Sequence, residues 1–545
     1  MSDFINSHPP ATFQGNWKIR LAYLLLEVED LDECRFFSIV MYVDPKDTRP
    51  PVTIIRSKFL QQNDPWYAVE SMWNWLAKIK RSVGQNSVLE NILERLTSTF
   101  EQMSQSVMKE LGFCCGLNRT VVPLLKCNLC LEDISKEGEK YFYDANRDHR
   151  ICAYCYANYS SSSCSERTLT ADYPEEKIEC NSCGITLHRV CVSYIEEHWQ
   201  SNHNTSFQCK QCRRARDDNS RELQLSAEHL PSCLLSRKLE CRANSFLSEN
   251  GAGDVKIIVK VYSSASETKV RAQYKRMYNT ADSFPYCAKS IYVFSKVEDE
   301  EVCIFGMHTQ EYGNNCPAPN KGTVYVSLLD SVQFFQPWKL RGKVYKQIIM
   351  GYLKHVAELG YRQACLWSCV PGEENSEYIF HRRPSAQNAL SQENLNQWYK
   401  GIMDKCVDEE IVESFDLRYS LPDMETITDI PYYDGDIFVI KMERFIQEIQ
   451  RERLRGNFTD LIKNKIANSR VSGQFWIDLG KGTNTIRDSD RPIECEVAKK
   501  PSHVYKFFKS LRPQPYQFTD LRQAAYATKA LVFKMRQDSL SNTEN

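Results

Sequence analysis

GTVYVSLLDSVQFF (322–335), KVYKQIIMGYLKHVAELG (343–360) and ACLWSCV (364–370) follow one another closely and decide the fold class. The first reads as a strand. The second carries a continuous apolar side at helical spacing and stops at Gly360, so it predicts a helix. The third is a short apolar run that reads as a buried strand. Working outward, GDVKIIVKVYSS (253–264), KSIYVFSKV (289–297) and EVCIFGMHTQEYG (301–313) also read as strands, with turn residues between them. Strands interleaved with a helix in this way predict a mixed α/β domain over 223–537, a central sheet flanked by helices. The stretch 450–500 is polar, basic and weakly patterned and is expected to be an inserted flexible loop.

The remainder of the chain differs in kind. VESMWNWLAKIKR (69–81) and VLENILERLTSTFEQMSQSVMKELG (88–112) place apolar residues three and four apart. They predict helices within a helical region over 17–113. A cysteine-rich block covers 120–215, and RRARDDNSRE (213–222) reads as a charged linker. The 545 residues suggest about three or four domains, a multidomain α+β chain. A net charge of -1 argues against a molecule built to coat nucleic acid, so no sequence-specific DNA binding is expected. No apolar run is long enough to span a bilayer, and MSDFINSHPPATF lacks the basic start and apolar stretch of a signal peptide. A cytosolic or nuclear protein without membrane contact is expected.

In such a compartment 22 cysteines are not a disulfide framework. Cys127 and Cys130, Cys152 and Cys155, and Cys180 and Cys183 are each spaced as Cys-x-x-Cys. His188, Cys191, Cys209 and Cys212 follow. A tetrahedral zinc takes four such ligands, and one knuckle supplies two of them. Without the Cys152 pair, the order is four cysteines, a histidine and three cysteines, the ligand order of a PHD finger. The Cys152 pair then belongs to an inserted RING-like piece whose other ligands include either His149 or Cys164. At least two structural zinc ions are expected, and a third is left open. No Glu stands beside a ligand pair in a hydrolase pattern, so the metal is not expected to catalyse.

YVSLLDSVQFFQPWKLRGKVYKQIIMGYLKHVAELGY (325–361), LWSCVPGEENSEYIFHRRP (366–384) and LNQWYKGIMDKCV (395–407) carry a resemblance, as do FGMHTQEYGNNCPAPN (305–320), PYYDGD (431–436) and FTDLRQAAYATKALVFKM (518–535). Together they resemble the catalytic domain of CREB-binding-protein-type histone acetyltransferases. The resemblance runs over roughly 60–535. It implies a bromodomain-like bundle, a RING inserted in a PHD finger, and the catalytic domain, in that order. The implied activity is transfer of acetyl from acetyl-CoA to lysine in histone tails and other nuclear proteins. The implied setting is the nucleus, as a transcriptional coactivator with transcription factors or coregulators as partners. By the same resemblance, Leu329, Asp330 and Ser331 hold the pantetheine arm and Arg341 grips a CoA phosphate. Trp398 lines the cofactor cleft, and Tyr399 is the general acid for the departing thiolate. Trp367, Cys369 and Tyr378 line the lysine tunnel.

The chain departs from the family at several places. Gly342 stands where the family has Thr, and Asn394 where an Arg helps hold CoA. KKPSHVYKFFKSLRP (499–513) is basic where the family offers acidic residues to histone tails, with Asp434 and Asp436 left as acidic contacts. In the bromodomain-like region Val83 replaces the Asn that reads acetyl-lysine, and Val has no amide to donate. A catalytically weak scaffold that keeps the fold is therefore the rival reading. A ubiquitin ligase is a remoter one, because the RING-like piece shows only one clear ligand pair.

Overall fold

The computed structural model describes residues 225–541 apart from 273–274, 276–280, 369–378, 385–386, 388–389, 419–429, 453–454, 458–459, 463, 466–472, 481–484 and 512–514. It also describes 114–209 apart from 116–118, 136, 160–162, 182–185 and 197–206, and the backbone of 38–41 and 52–55. The chain forms two compact units, 1–123 with 170–219 and 124–169 with 220–545. The helices expected over 69–112 lie outside the described residues. In the same region, Ser38–Met41 and Val52–Ile55 pair antiparallel, so the helical reading does not extend through it. Both segments are rich in β-branched residues, which favour extended backbone.

The larger unit is built on a seven-stranded sheet. Helix α1 (Leu234–Glu249) precedes the long strands β1 (Ile257–Lys269), β2 (Ser283–Val297) and β3 (Glu300–Tyr312), then β4 (Thr323–Ser331). Helix α2 (Trp338–Leu359) crosses to β5 (Gln363–Trp367), which lies parallel to β4. Helix α3 (Gln392–Asp408), β6 (Ser414–Arg418), α4 (Ile437–Glu452) and β7 (Gln474–Asp478) follow, and α5 (Pro501–Leu511) and α6 (Leu521–Ser541) close the unit. The strand order is β1-β2-β3-β4-β5-β7-β6, and every pairing but β4–β5 is antiparallel.

Strand β7 corrects the reading of 450–500 as a loop. It sits inside the sheet between β5 and β6, with Phe475 and Ile477 buried in the main core and Trp476 in the opposite cluster. Three consecutive large apolar residues were the local signal, masked by the polar chain around them.

Helix α2 forms where its periodicity predicts, because Val344, Tyr345, Ile348, Tyr352, Leu353 and Val356 share a buried side. It ends on Gly360 at φ 101, a left-handed position that favours glycine, where the amides of Gly360 and Tyr361 bond back to Ala357 and Val356. At its other end the Tyr345 hydroxyl bridges the carbonyls of Ile304 and Val332, each at 3.1 Å, fixing the helix to the ends of β3 and β4. Helix α1 starts on a capping box of Cys233 and Ser236. The Asp490 carboxylate adds bonds from the Leu234 and Leu235 amides, both at 2.8 Å, tying the chain after β7 to α1.

The sheet carries charge and imidazole inside. Lys289 is buried between Glu311 at 3.0 Å and Asp488 at 2.7 Å. His308 lies between the Ser290 hydroxyl at 2.8 Å and the Tyr292 hydroxyl at 2.9 Å. Burial pushes His308 down from 6.5 to about 3 and His355, on α2, to about 4. The unfolded chain protonates these imidazoles below pH 6.5 while the folded chain does not, so their contribution is complete above 6.5 and is lost as pH falls. Urea denaturation at pH 7 and pH 5 should show a loss of about 2 kcal/mol per histidine. The His308→Asn variant should flatten part of that slope.

Candidate active site and metal centres

The site begins at a change of register. Strand β4 pairs with β5 only from Thr323 to Val326, opposite Gln363 to Leu366. Its ladder with β3 slips between His308 and Thr309, which leaves Ser327 as an extra residue. The Ser327 hydroxyl donates to the His308 carbonyl at 3.2 Å and holds the bulge. Beyond it, Leu328 to Ser331 remain paired to β3 but have, among the described residues, no partner strand on the β5 side. Among the described residues the sheet is parted there, with Leu329, Asp330 and Ser331 on one bank and Trp367 at the start of the other. An extended chain bearing amides can bond to such an edge as an added strand would.

Asp330 is buried, and its carboxylate is committed. It accepts from the Ser331 amide at 2.9 Å, the Ile379 amide at 3.2 Å, the Phe380 amide at 3.3 Å and the Arg383 guanidinium at 2.5 Å. Burial pushes its carboxyl above the usual carboxylate range, opposed by Arg383 and these amides. Asp330 thus fastens the 379–383 turn against the end of β4. Gln387 adds a second fastening: its amide nitrogen donates to the Ser331 carbonyl and its oxygen accepts from the Gln333 amide, both at 3.0 Å. Arg341, in the first turn of α2, donates to the Gln333 carbonyl at 2.8 Å. The N-cap Pro337 offers no side-chain bond to the first turn of α2, where the Trp338 amide donates to the Gln336 side chain at 3.2 Å, and Arg341 stands at the positive end of this long helix, where anions bind well.

Helix α3 forms the wall beyond. Gln392, Asn396 and Tyr399 fall on one of its faces by helical spacing. Gln392 donates to the Ser368 carbonyl at 2.6 Å and to Asn396 at 2.9 Å, which joins α3 to the residue after Trp367. Tyr399 is buried against Phe475, and Trp398 meets Tyr399 edge-on at 5.0 Å. A side chain begun at Gly342 would meet only the Trp398 indole nitrogen, at 3.7 Å, so α2 and α3 approach there. Along β5, Ala364 and Leu366 enter the main core with Tyr399, whereas Cys365 and Trp367 pack on the second cluster. Tyr399 and Trp367 belong to opposite faces of the sheet, and the parting of β4 from β5 is the opening between them. The Trp367 indole nitrogen is buried and has no hydrogen-bond partner among the described residues. Cys369 and Tyr378 lie outside the described residues. Asp434 accepts from the Tyr286 hydroxyl at 2.9 Å, and Asp436 is buried, so the pair is not a free acidic contact.

Two clusters bring ligand atoms within 4.8 Å of one another: Cys127, Cys130, Cys152 and Cys155, and Cys114, Cys115, His188 and Cys191. The Cys152 pair therefore joins the Cys127 pair, not His149 or Cys164. His188 and Cys191 join Cys114 and Cys115, which the sequence reading omitted. Both clusters have the soft donor set that zinc takes. In the first, the Cys152 amide donates to the Cys127 sulfur at 3.4 Å. In the second, His188 turns Nδ1 to Cys114 at 3.0 Å and Nε2 toward Glu175 at 3.9 Å, the carboxylate-behind-histidine arrangement that orients a ligand. Of the other expected ligands, Cys180 and Cys209 are buried together, the Cys209 amide donating to the Cys180 sulfur at 3.2 Å. Cys183 and Cys212 lie outside the described residues. Elemental analysis should find at least two zinc ions per chain, and Cys127→Ser should release one of them while leaving the cluster at His188 loaded.

Residues 243–472 match the family described as Histone acetyltransferase domain KAT3. Protein cbp-1 of Caenorhabditis elegans is 29% identical over 432 residues, covering 72% of this chain and 21% of that protein. The matched region is similar to histone acetyltransferases of the CREB-binding-protein type. Probable histone acetyltransferase HAC-like 3 of Oryza sativa subsp. japonica is 27% identical over 401 residues, covering 64% of this chain and 31% of that one. Histone acetyltransferase HAC4 of Arabidopsis thaliana is 26% identical over 384 residues, with 60% and 26% covered. The chain thus spans between a fifth and a third of these relatives' lengths.

Acetyl-CoA is the co-substrate of histone acetyltransferases, and the groups beside the parted sheet have chemistry that such a ligand could use. Among the described residues the edge of Leu329–Ser331 is open to an extended chain bearing amides, Arg341 carries a charge suited to an anion, and the Trp367 indole nitrogen is a donor without a partner. Sequence reading missed Gln387, Gln392, Arg383 and Gly473. Gly473 opens β7 at φ 101, and a side chain there would lie 2.5 Å from the Ser368 carbonyl. Among the described residues no helix is long and apolar enough to cross a membrane.

Proposed function

We propose that this chain transfers acetyl from acetyl-CoA to lysine side chains of histone tails and other nuclear proteins, as a coactivator. The observation that carries this reading is the parting of β4 from β5 after Val326, with Arg341 and Trp398–Tyr399 toward one face and Trp367 toward the other. Two reactants entering from opposite faces would meet end to end, which converts a bimolecular step into a positioned one. The lysine, entering past Trp367, gives up its proton to solvent water and attacks the thioester carbon. The C–S bond breaks, and the thiolate takes a proton from the Tyr399 hydroxyl, a group still protonated at neutral pH. Asp330 acts on this reaction through the 379–383 turn that it fastens.

Around this centre we place a bromodomain-like helical segment after the strand pair of 38–55, which has lost acetyl-lysine reading at Val83, and a zinc-binding module that runs from Cys114 to the end of the cysteine-rich block. The cell compartment is the nucleus, and recruitment is by transcription factors or coregulators. Gly342 and the exposed Asn394 favour the rival, a scaffold that binds acetyl-CoA without turning it over. Incubating the chain with acetyl-CoA and peptides of histones H3 and H4, and following peptide mass, separates the two. Transfer supports the enzyme. Acetyl-CoA that raises the melting temperature without transfer supports the scaffold.

A further inference from the structure

Arg382 and Arg383 are adjacent in sequence and reach in different directions. Arg383 turns inward to Asp330 at the end of β4. The Arg382 Nε donates to the Ser135 carbonyl at 2.9 Å, and its guanidinium also reaches the Gln517 side chain at 3.4 Å. Ser135 belongs to the four-cysteine knuckle. It follows the strand Asp133–Ile134, which pairs with Leu125–Lys126, and the turn between them carries Cys127 and Cys130. Within that turn the Cys127 amide donates to the Glu132 carbonyl at 2.9 Å. The shape of this hairpin, and so the place of the Ser135 carbonyl, depends on Cys127 and Cys130 being gathered with Cys152 and Cys155.

Arg382 is also held in an unusual backbone state. Its φ is 50, in the left-handed region that long side chains rarely adopt. The Phe518 amide pins that turn by donating to the carbonyls of His381 and Arg382, at 2.9 and 3.2 Å. Backbone held in this way persists only where surrounding contacts over-determine it.

We propose that Arg382 and Arg383 are positioning residues that couple the metal state of the Cys127–Cys130–Cys152–Cys155 knuckle to the co-substrate edge of β4. A loaded knuckle presents the Ser135 carbonyl to Arg382, and this holds Arg383 on Asp330. Leu329–Ser331 then keep the open edge that takes acetyl-CoA. When the metal leaves, the hairpin slackens, the turn at 379–383 loosens, and acetyl-CoA binds less well. The coupling rests on the reading of that edge as the acetyl-CoA site.

The test uses the full chain in four forms beside wild type: Arg382→Asn, Cys155→Ser, the two combined, and Lys509→Ala. Asparagine tolerates the left-handed backbone, so Arg382→Asn removes the side-chain bonds without forcing the turn. Lys509→Ala removes a separate link to the knuckle, the ion pair with Glu132 at 3.0 Å, and touches nothing at 379–383. Acetyl-CoA affinity is read by calorimetry, and KM is measured for acetyl-CoA and for peptide. Arg382→Asn and Cys155→Ser should each weaken acetyl-CoA about 10-fold, the factor for one charged hydrogen bond, with peptide KM unchanged. The double variant should be no weaker than either single, and Lys509→Ala should bind as wild type. A general loss of folded protein would lower apparent kcat and leave KM alone. Wild-type binding with an unaffected Arg382→Asn, or with additive losses in the double variant, would overturn the coupling alone. A wild-type chain that binds no acetyl-CoA would overturn the site reading and the coupling with it.

Discussion

Replacing Tyr399 by phenylalanine should lower kcat about 10²- to 10⁴-fold, the range for removing a general acid. Affinity for acetyl-CoA should stay close to wild type. Tyr399 is buried against Phe475 and Trp398, and both contacts are made by the ring, so phenylalanine keeps the packing and removes only the hydroxyl. The loss corresponds to about 3–5 kcal/mol of transition-state stabilisation. Single-turnover transfer and equilibrium binding, measured on the same preparation, check both halves. If the variant loses affinity and rate together, the hydroxyl is a binding group and another donor must serve the thiolate.

Gly473→Val should be the most disruptive single change outside the core. The residue stands at φ 101, and a side chain would start 2.5 Å from the Ser368 carbonyl oxygen, 3.1 Å from the Gln392 amide nitrogen and 3.4 Å from the Asn396 oxygen. Backbone cannot yield as a flexible side chain can. Either the left-handed turn is abandoned, breaking the 2.6 Å bond from the Ser368 amide to the Gly473 carbonyl, or α3 moves away from β5. Strain together with overpacking should cost about 3 kcal/mol or more, read as a lower urea midpoint. Because Ser368 follows Trp367 and Gln392 lies on the face of α3 that carries Tyr399, transfer should fall by at least about 10²-fold in the protein that remains folded. Gly473→Ala should be milder but of the same sign. Full activity in the valine variant would mean that the contact between β5, β7 and α3 does not set the site.

The parts of this fold that were legible in the sequence are those whose signal is local. Helix α2 declared itself by its apolar spacing and by Gly360, and the strands around Met307 and Val293 by continuous apolar runs. Strand β7 did not, because its pairing with β5 and β6 is non-local and its neighbours are polar. The bulge at Ser327 is invisible for the same reason. It exists only as a mismatch between two ladders, and Ser327 alone looks like any hydroxyl in a strand. Cys114 and Cys115 were overlooked because a vicinal pair at the end of a predicted helix does not have knuckle spacing, whereas the pairs at Cys127 and Cys152 do. For Asp330 the sequence offered only a cofactor role, and the structure adds that its carboxylate is taken up by the 379–383 turn and by Arg383. A single sequence without ladder register could not have shown that partner.

The parted edge of β4 is tested most directly by hydrogen–deuterium exchange with and without acetyl-CoA, read peptide by peptide. Saturating acetyl-CoA should slow exchange across Leu328–Ser331, in the first turn of α2 around Arg341 and at 379–383, and leave β1 and α6 unchanged. Binding without any slowing at Leu328–Ser331 would contradict the account, because the co-substrate would then lie elsewhere on the chain.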